Sequence, residues 1–164
     1  MKTDYIMKHI EMLCNVTSGE QKKYYQRQLD CAQPIECVSI REVLTDDEID
    51  LIKDIINPQP KECYKNATRL AMLFPDRVEY VEGYYGVMGV LGTEHAWNRV
   101  GDKYIDITAE LVLEKNIAEE HYVQLMTMDA KEVTDMVLKE DCYTWLFGVK
   151  YANELKNKKS LGKN

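Results

Sequence analysis

Residues 57–75 read NPQPKECYKNATRLAMLFP, and this segment decides how the middle of the chain folds. Pro58 and Pro60 stop any helix before them, because proline lacks an amide proton and restricts the preceding residue. The apolar residues that follow recur at helical spacing, which predicts a helix that begins near Glu62 and ends before the last proline. Cys63 therefore falls in the first turn of this helix.

The chain after this helix has the alternating pattern of β-strands. Gly92 and the pair Gly101-Asp102 are turn signals that divide it. The predicted strands span residues 79–90, 94–100 and 103–108. Short turns between them favour an antiparallel meander, so we predict an α+β fold in which the Cys63 helix packs on an antiparallel sheet.

The rest of the chain reads mainly as helix. A first amphipathic helix ends near Val16, and Thr45 with Glu48 forms a capping box that opens another. Predicted elements are helices at 5–16, 21–30 and 45–56, a strand at 122–126, and closing helices from 130 to about 156 with a break at Asp141. We expect one domain over 1–164: an N-terminal helical extension or cap (1–56), a core (57–126), and closing helices with a frayed basic tail from Lys156 to Lys163 (127–164).

Composition excludes several classes of function. A net charge of −7 and a pI near 5.1 argue against nucleic acid as a partner, since phosphate binding needs clustered Lys and Arg. No segment is apolar enough to span a bilayer, so no membrane partner and a cytoplasmic location are expected. The five cysteines show no disulfide pattern, and the three histidines are scattered, so we expect neither a metal nor another cofactor. The sequence leaves the oligomeric state open.

Cys63, His95 and Asp106 form a candidate catalytic triad. A thiol at a helix N-terminus is activated because free amides and the helix dipole favour thiolate. The thiolate needs a base, for which His95 is placed on a strand, and the base needs a group that orients its ring. A hairpin through Gly101-Asp102 could bring Asp106 against His95.

Three strings in this order resemble the transglutaminase-like superfamily, which is related to papain. The strings are Cys63-Tyr64-Lys65-Asn66-Ala67, His95-Ala96-Trp97-Asn98 and Tyr104-Ile105-Asp106-Ile107-Thr108. The segment from Tyr80 to Tyr84 is similar to the strand before the histidine in small bacterial and phage members. The resemblance covers residues 57–108 and implies a papain-like core with Cys63 as nucleophile, His95 as base and Asp106 as orienting acid.

Other residues of the expected site are open. The resemblance implies an oxyanion-hole side chain shortly before the nucleophile, for which Gln59 is preferred over Asn57. The backbone amide of Cys63 would be the second donor. Trp97, on the face of His95, could line the cleft or be a core residue. Glu82 could line the cleft, although a paired core carboxylate is the preferred interpretation.

Asp102 and Asn98 are alternatives to Asp106 as the group that orients His95. Asn98 is less favoured, because neighbours along one strand point to alternate faces. Glu94 should likewise face away from His95 and is interpreted as structural.

The expected function is that of a cysteine-dependent hydrolase or acyl transferase acting on an amide, isopeptide or thioester of a peptide, a protein or a small molecule. It would proceed through a thioacyl intermediate, and the sequence does not decide between water and an amine as acceptor. The alternatives are a catalytically silent peptide- or protein-binding module on the same fold, and a metal-dependent hydrolase that uses Cys63 and His95 as ligands.

Overall fold

The computed structural model describes residues 2–162. Its helices are α1 Asp4–Val16, α2 Gly19–Cys31, α3 Asp46–Leu51, α4 Cys63–Leu73, α5 Ala130–Glu140 and α6 Leu146–Leu161. Its strands are β1 Gln33–Ile35, β2 Val78–Val87, β3 Leu91–Val100, β4 Lys103–Ile105 and β5 Tyr122–Met128. The α+β prediction is confirmed in this form, with helices around an antiparallel sheet.

The five strands form one antiparallel sheet in the order β1-β5-β2-β3-β4. The sheet curls, so that its two edges approach each other. The residue pair Cys37 and Tyr104 forms a parallel bridge, and the Val38 amide donates to the Tyr104 carbonyl at 2.8 Å. This contact joins the chain just after β1 to β4, at the opposite edge of the sheet.

The two faces of the curled sheet have different neighbours. On the convex side, α4 packs through Ala67 and Leu70 onto Tyr80 and Ala96. Inside the curl lies a second apolar cluster made largely of aromatic and small residues, listed as Ile35, Cys37, Val81, Trp97, Ala109, Ile117 and Tyr122. Because β3 alternates its side chains, consecutive residues of this strand serve the helical layer and the interior of the curl in turn.

The N-terminal residues belong to the same structure as the sheet. Helix α1 buries Ile6 and Ile10 against Tyr84 and Val123. Strand β1, which the sequence pattern did not reveal because it is only three residues long, pairs with β5. Residues 2–56 therefore contribute both a strand and a packed helical layer.

Most helical predictions are confirmed, including the capping box of Thr45 and Glu48 at the start of α3. The α-helix ends at Leu51, however, and the chain from Ile52 to Ile56 forms a π-helical segment instead. The break at Asp141 is confirmed, since this residue adopts a left-handed conformation after α5. The prediction of a frayed basic tail is wrong up to Leu161, because α6 continues to that residue. Lys163 lies outside the described residues.

Two strand predictions need correction. Gly92 does not separate strands; it lies within β3, and the hairpin turn falls at 88–90, where Met88 and Gly89 have positive φ. The predicted strand at 103–108 ends at Ile105, because the chain then turns into a short π-helical segment, Thr108–Val112. Within residues 2–162, no helix is long and apolar enough to cross a membrane.

Gly83 is required where β2 lies between β3 and β5. The β2–β5 register shifts between Glu82 and Gly83, and this brings the two backbones close together. A Cβ at Gly83 would lie 2.0 Å from the Val123 carbonyl oxygen and 2.7 Å from a ring carbon of Trp97. Backbone atoms of β5 and the indole of Trp97 on β3 leave no room for a methyl group here.

Gly83→Ala should lower the free energy of unfolding by about 1–3 kcal/mol, because the added methyl group overpacks the centre of the sheet. Chemical denaturation monitored by circular dichroism measures this change. Gly162→Ala is the control, since its Cβ would meet its nearest neighbour at 3.5 Å, an ordinary contact. Equal stability of the two variants would show that the strands move apart at Gly83 and accommodate the methyl group without a cost in free energy.

Candidate active site

His95 and Asp106 form a direct pair. The Nε2 atom of His95 lies 2.7 Å from Oδ2 of Asp106. Strand β4 pairs only with residues 98–100 of β3, so His95 lies on the part of β3 that β4 leaves uncovered. Asp106 reaches it from the residue directly after β4, where the chain turns, and not from within the hairpin as the sequence suggested.

Asp106 is buried, and both of its carboxylate oxygens accept hydrogen bonds. Besides His95, the Ala109 amide donates to Oδ1 at 3.1 Å and the Tyr122 hydroxyl donates to Oδ2 at 2.8 Å. Burial by itself raises the pKa of a carboxyl group, but the charge of His95 and these hydrogen bonds hold the pKa of Asp106 below its ordinary value. The orienting acid is therefore an anion at neutral pH.

The imidazole of His95 is stabilised in its protonated form. Its side chain is only 11% exposed, and burial lowers the pKa of an imidazole. The charge and hydrogen bond of Asp106, with a further contribution from Cys63, overcome this effect and raise the pKa of His95 to about 10. Because this value exceeds the ordinary 6.5, the proton on His95 stabilises the fold fully below pH 6.5 as long as Asp106 is ionised, and this contribution is lost as the pH rises through about 10.

Cys63 is the first residue of α4 and is half-buried. It is one of the groups that raise the pKa of His95, after the larger effect of Asp106, which places the thiol in the neighbourhood of the imidazole. Since Nε2 of His95 is bound to Asp106, Nδ1 is the ring nitrogen left for the thiol. The structure therefore brings together the three residues that the sequence singled out.

Aromatic rings enclose the imidazole. The His95 ring centroid lies 5.2 Å from that of Tyr85, 6.0 Å from that of Trp97, which is stacked at 24°, and 6.4 Å from that of Tyr122. Trp97 is 1% exposed, and its Nε1 has no hydrogen-bond partner among residues 2–162. Trp97 is thus a core residue that also forms a wall of the site.

Asn66 is a site residue that sequence reasoning missed. Its side-chain amide donates to the Gln59 carbonyl at 2.9 Å and to Thr108 Oγ1 at 2.9 Å, and its Oδ1 accepts from the Gln59 amide at 3.3 Å. It thereby ties the segment before Cys63 to the segment after Asp106. The available signal was a polar residue one turn after Cys63, on the otherwise apolar face of α4.

The expected oxyanion donor, Gln59, has an exposed side chain whose Nε2 donates to the Asn57 carbonyl at 3.1 Å. Its amide retains a second proton, and the structure contains no substrate to receive it. The loop position of Gln59 is held through its backbone by Asn66. Its role in the oxyanion hole stays a prediction.

Glu82 lies in the core between the sheet and α6. It is fully buried and accepts from Tyr80 Oη at 2.5 Å and from the amides of Leu146 and Phe147 at 2.8 Å each. Burial raises the pKa of Glu82 to about 7 in spite of these bonds. The structure thus gives Glu82 a partner in the first turn of α6.

The alternatives for the orienting residue lie elsewhere. Asn98 is buried on the helical face of β3, where it donates to the Ala67 carbonyl at 2.9 Å and the Glu79 carbonyl at 3.1 Å. Asp102 is exposed in the turn before β4. Asp106 alone of these residues contacts the imidazole.

A cavity of about 810 Å³ opens beside the site without including the triad. Its lining includes Cys37, Tyr104 and Glu120, and Glu120 accepts a hydrogen bond from Tyr85, which packs on His95. In the part of the chain that the structure describes, no group of three or more His, Cys, Asp or Glu side chains is placed to hold a metal ion.

Comparisons of this chain with protein-family models, with curated proteins and with solved structures give no match. The chemistry of the site is therefore inferred from its own geometry.

Asp106→Asn should lower the midpoint of the His95 imidazole titration by roughly 1 to 3 pH units, because burial then acts without the charge of Asp106. Nuclear magnetic resonance of labelled histidine measures the midpoint. Asp102→Asn removes the same charge from the exposed turn and should leave the midpoint unchanged. A midpoint that is equally high in Asp106→Asn would show that the pair does not control the ring.

Proposed function

We propose that the protein is a cysteine-dependent hydrolase or acyl transferase that acts on an amide, isopeptide or thioester bond. The observation that carries the proposal is the buried His95–Asp106 pair beside Cys63 at the beginning of α4. The raised pKa of His95 means that the ring carries a proton at neutral pH, which is the state needed to pair with a thiolate.

The first half of the reaction forms a thioacyl enzyme. The Cys63 sulfur attacks the carbonyl carbon, a C–S bond forms, and an electron pair moves to the carbonyl oxygen. The backbone amide of Cys63 and a side chain such as Gln59 would stabilise this oxyanion. As the oxyanion collapses, the bond to the leaving group breaks and His95 transfers its Nδ1 proton to the departing nitrogen or sulfur.

The second half restores the thiol site. Neutral His95 takes a proton from water or from an amine, which attacks the thioacyl carbon and expels the Cys63 thiolate. Water gives hydrolysis, and an amine gives acyl transfer. Asp106 keeps the ring oriented through Nε2 in both halves, so Nδ1 faces the reacting atoms throughout.

The architecture supports a papain- or transglutaminase-like assignment for the core. A helix that begins with the nucleophile packs on an antiparallel curled sheet, and the base and acid follow it in chain order. We also propose a cytoplasmic location. The five free cysteines are compatible with the reducing conditions there.

Limiting iodoacetamide at pH 6 should alkylate Cys63 at least about tenfold faster than Cys31 and Cys142, because the proposed mechanism pairs the Cys63 sulfur with the protonated His95. Cys31 and Cys142 are exposed, so they report ordinary thiol reactivity in the same chain. Peptide-resolved mass spectrometry measures the three rates. His95→Gln should bring the Cys63 rate down to that of the two controls.

A panel of amide and thioester substrates then tests turnover. Cys63→Ala should abolish any turnover found while its circular dichroism and thermal unfolding match the unmodified protein, and Cys31→Ala should be fully active. Turnover that persists in Cys63→Ala would contradict the proposal. Uniform, slow alkylation of all accessible cysteines would favour a catalytically silent binding module.

A further inference from the structure

Glu94 lies next to His95 in sequence but faces the other side of β3. In the β2–β3 register it is paired with Tyr84, whereas His95 is paired with Gly83. Glu94 therefore belongs to the helical face of the sheet, on the side of α4.

A row of aromatic rings leads from Tyr84 back to the nucleophile. The Tyr84 ring centroid is 5.9 Å from that of Trp145, which is 6.5 Å from that of Tyr64. Tyr64 directly follows Cys63. Trp145 donates from Nε1 to the Tyr24 hydroxyl at 2.8 Å, and both Tyr64 and Trp145 are only partly buried. Solvent thus reaches aromatic surface immediately beside the candidate nucleophile.

Helix α6 holds Trp145 in this position. The two amides that follow Trp145 donate to the buried Glu82 carboxylate, so the start of α6 is bound to the centre of the sheet. The indole is therefore a preorganised part of the surface and not a mobile side chain.

The Glu94 carboxylate has no partner of its own in the described part of the chain. It forms neither a hydrogen bond nor an ion pair there, the residue is solvent-exposed, and desolvation by nearby protein atoms raises its pKa above the ordinary value. The cross-strand register places Glu94 against Tyr84. Its charge raises the pKa of Tyr84 after the larger effect of burial, and that of Tyr64 after the larger effects of burial and of Cys63. Glu62, the carboxylate that directly precedes Cys63, is paired with Lys65 at 3.6 Å.

We propose that Glu94, Tyr64 and Trp145 form a subsite for a positively charged side chain of the substrate, next to the carbonyl that Cys63 attacks. An accessible, unpaired carboxylate attracts a cation, and aromatic faces attract cations through their quadrupole. An anionic group would meet both the carboxylate and the negative ring faces. This subsite rests on the proposed function only in assigning its occupant to a substrate of Cys63.

Charged thiol reagents test the subsite without a known substrate. The probes are three methanethiosulfonates that carry trimethylammonium, methyl or sulfonate groups. The Cys63 thiolate attacks the sulfenyl sulfur, a mixed disulfide forms, and methanesulfinate leaves. Peptide-resolved mass spectrometry gives rates at Cys63 and, in the same molecules, at exposed Cys31, which corrects for the net charge of −7.

The ratio of the cationic to the anionic rate should be higher at Cys63 than at Cys31. Glu94→Gln should reduce the Cys63 ratio by about 3- to 10-fold, as expected for one partly screened charge, and Glu94→Lys should reduce it further. Glu132→Gln removes the same charge from α5 and should leave the ratio unchanged. Trp145→Leu should lower the trimethylammonium rate relative to the neutral methyl probe.

Either Glu94 variant with an unchanged ratio would overturn the subsite. That failure is distinguishable from failure of the proposed function, because the latter shows as a Cys63 rate no higher than that of Cys31 with the neutral probe. Cys63 could react slowly while its ratio of cationic to anionic rate still depends on Glu94. That result would support the subsite and contradict the proposed catalytic function.

Discussion

The hydrogen-bonded ion pair of His95 and Asp106 is the interaction on which the site depends. A buried carboxylate is costly unless its oxygens are satisfied, and Asp106 meets this requirement with His95, Tyr122 and the Ala109 amide. Each donor comes from a different part of the chain: β3, β5 and the turn after β4. The pair therefore joins three segments of the chain. The same contacts also set the protonation of His95.

Strand β3 gives the site two distinct sides. His95 and Trp97 point into the curl of the sheet, where aromatic rings cover most of the imidazole. Glu94 and Asn98 point toward the helices, where Asn98 donates to the Ala67 carbonyl of α4 and Glu94 is solvent-exposed. One extended segment thus separates the proposed site of proton transfer from the proposed cation subsite, because its side chains alternate.

The supporting residues of the site are buried polar groups with complete sets of partners. Asn66 ties the approach to Cys63 to Thr108, and Glu82 binds the start of α6 to the sheet. Such networks define one arrangement of segments that are distant in sequence, since a shifted arrangement would leave buried polar atoms unpaired.

The sequence by itself determined the element types, most of the helix boundaries, and the three residues brought together at the site. Helical spacing placed Cys63 in a first turn, and turn residues placed His95 and Asp106 on neighbouring segments, because these are local patterns of period and chain reversal. Strand β1 was too short to show a period, and the turn at 88–90 was obscured by apolar residues around Gly89.

Only the tertiary structure decided how these segments meet. The curl that brings Cys37 to Tyr104, the hydrogen bonds of Asn66, and the approach of Asp106 from beyond the end of β4 all join residues far apart in the chain. Their partners are selected by burial and by hydrogen-bond satisfaction, which no local pattern in the sequence records.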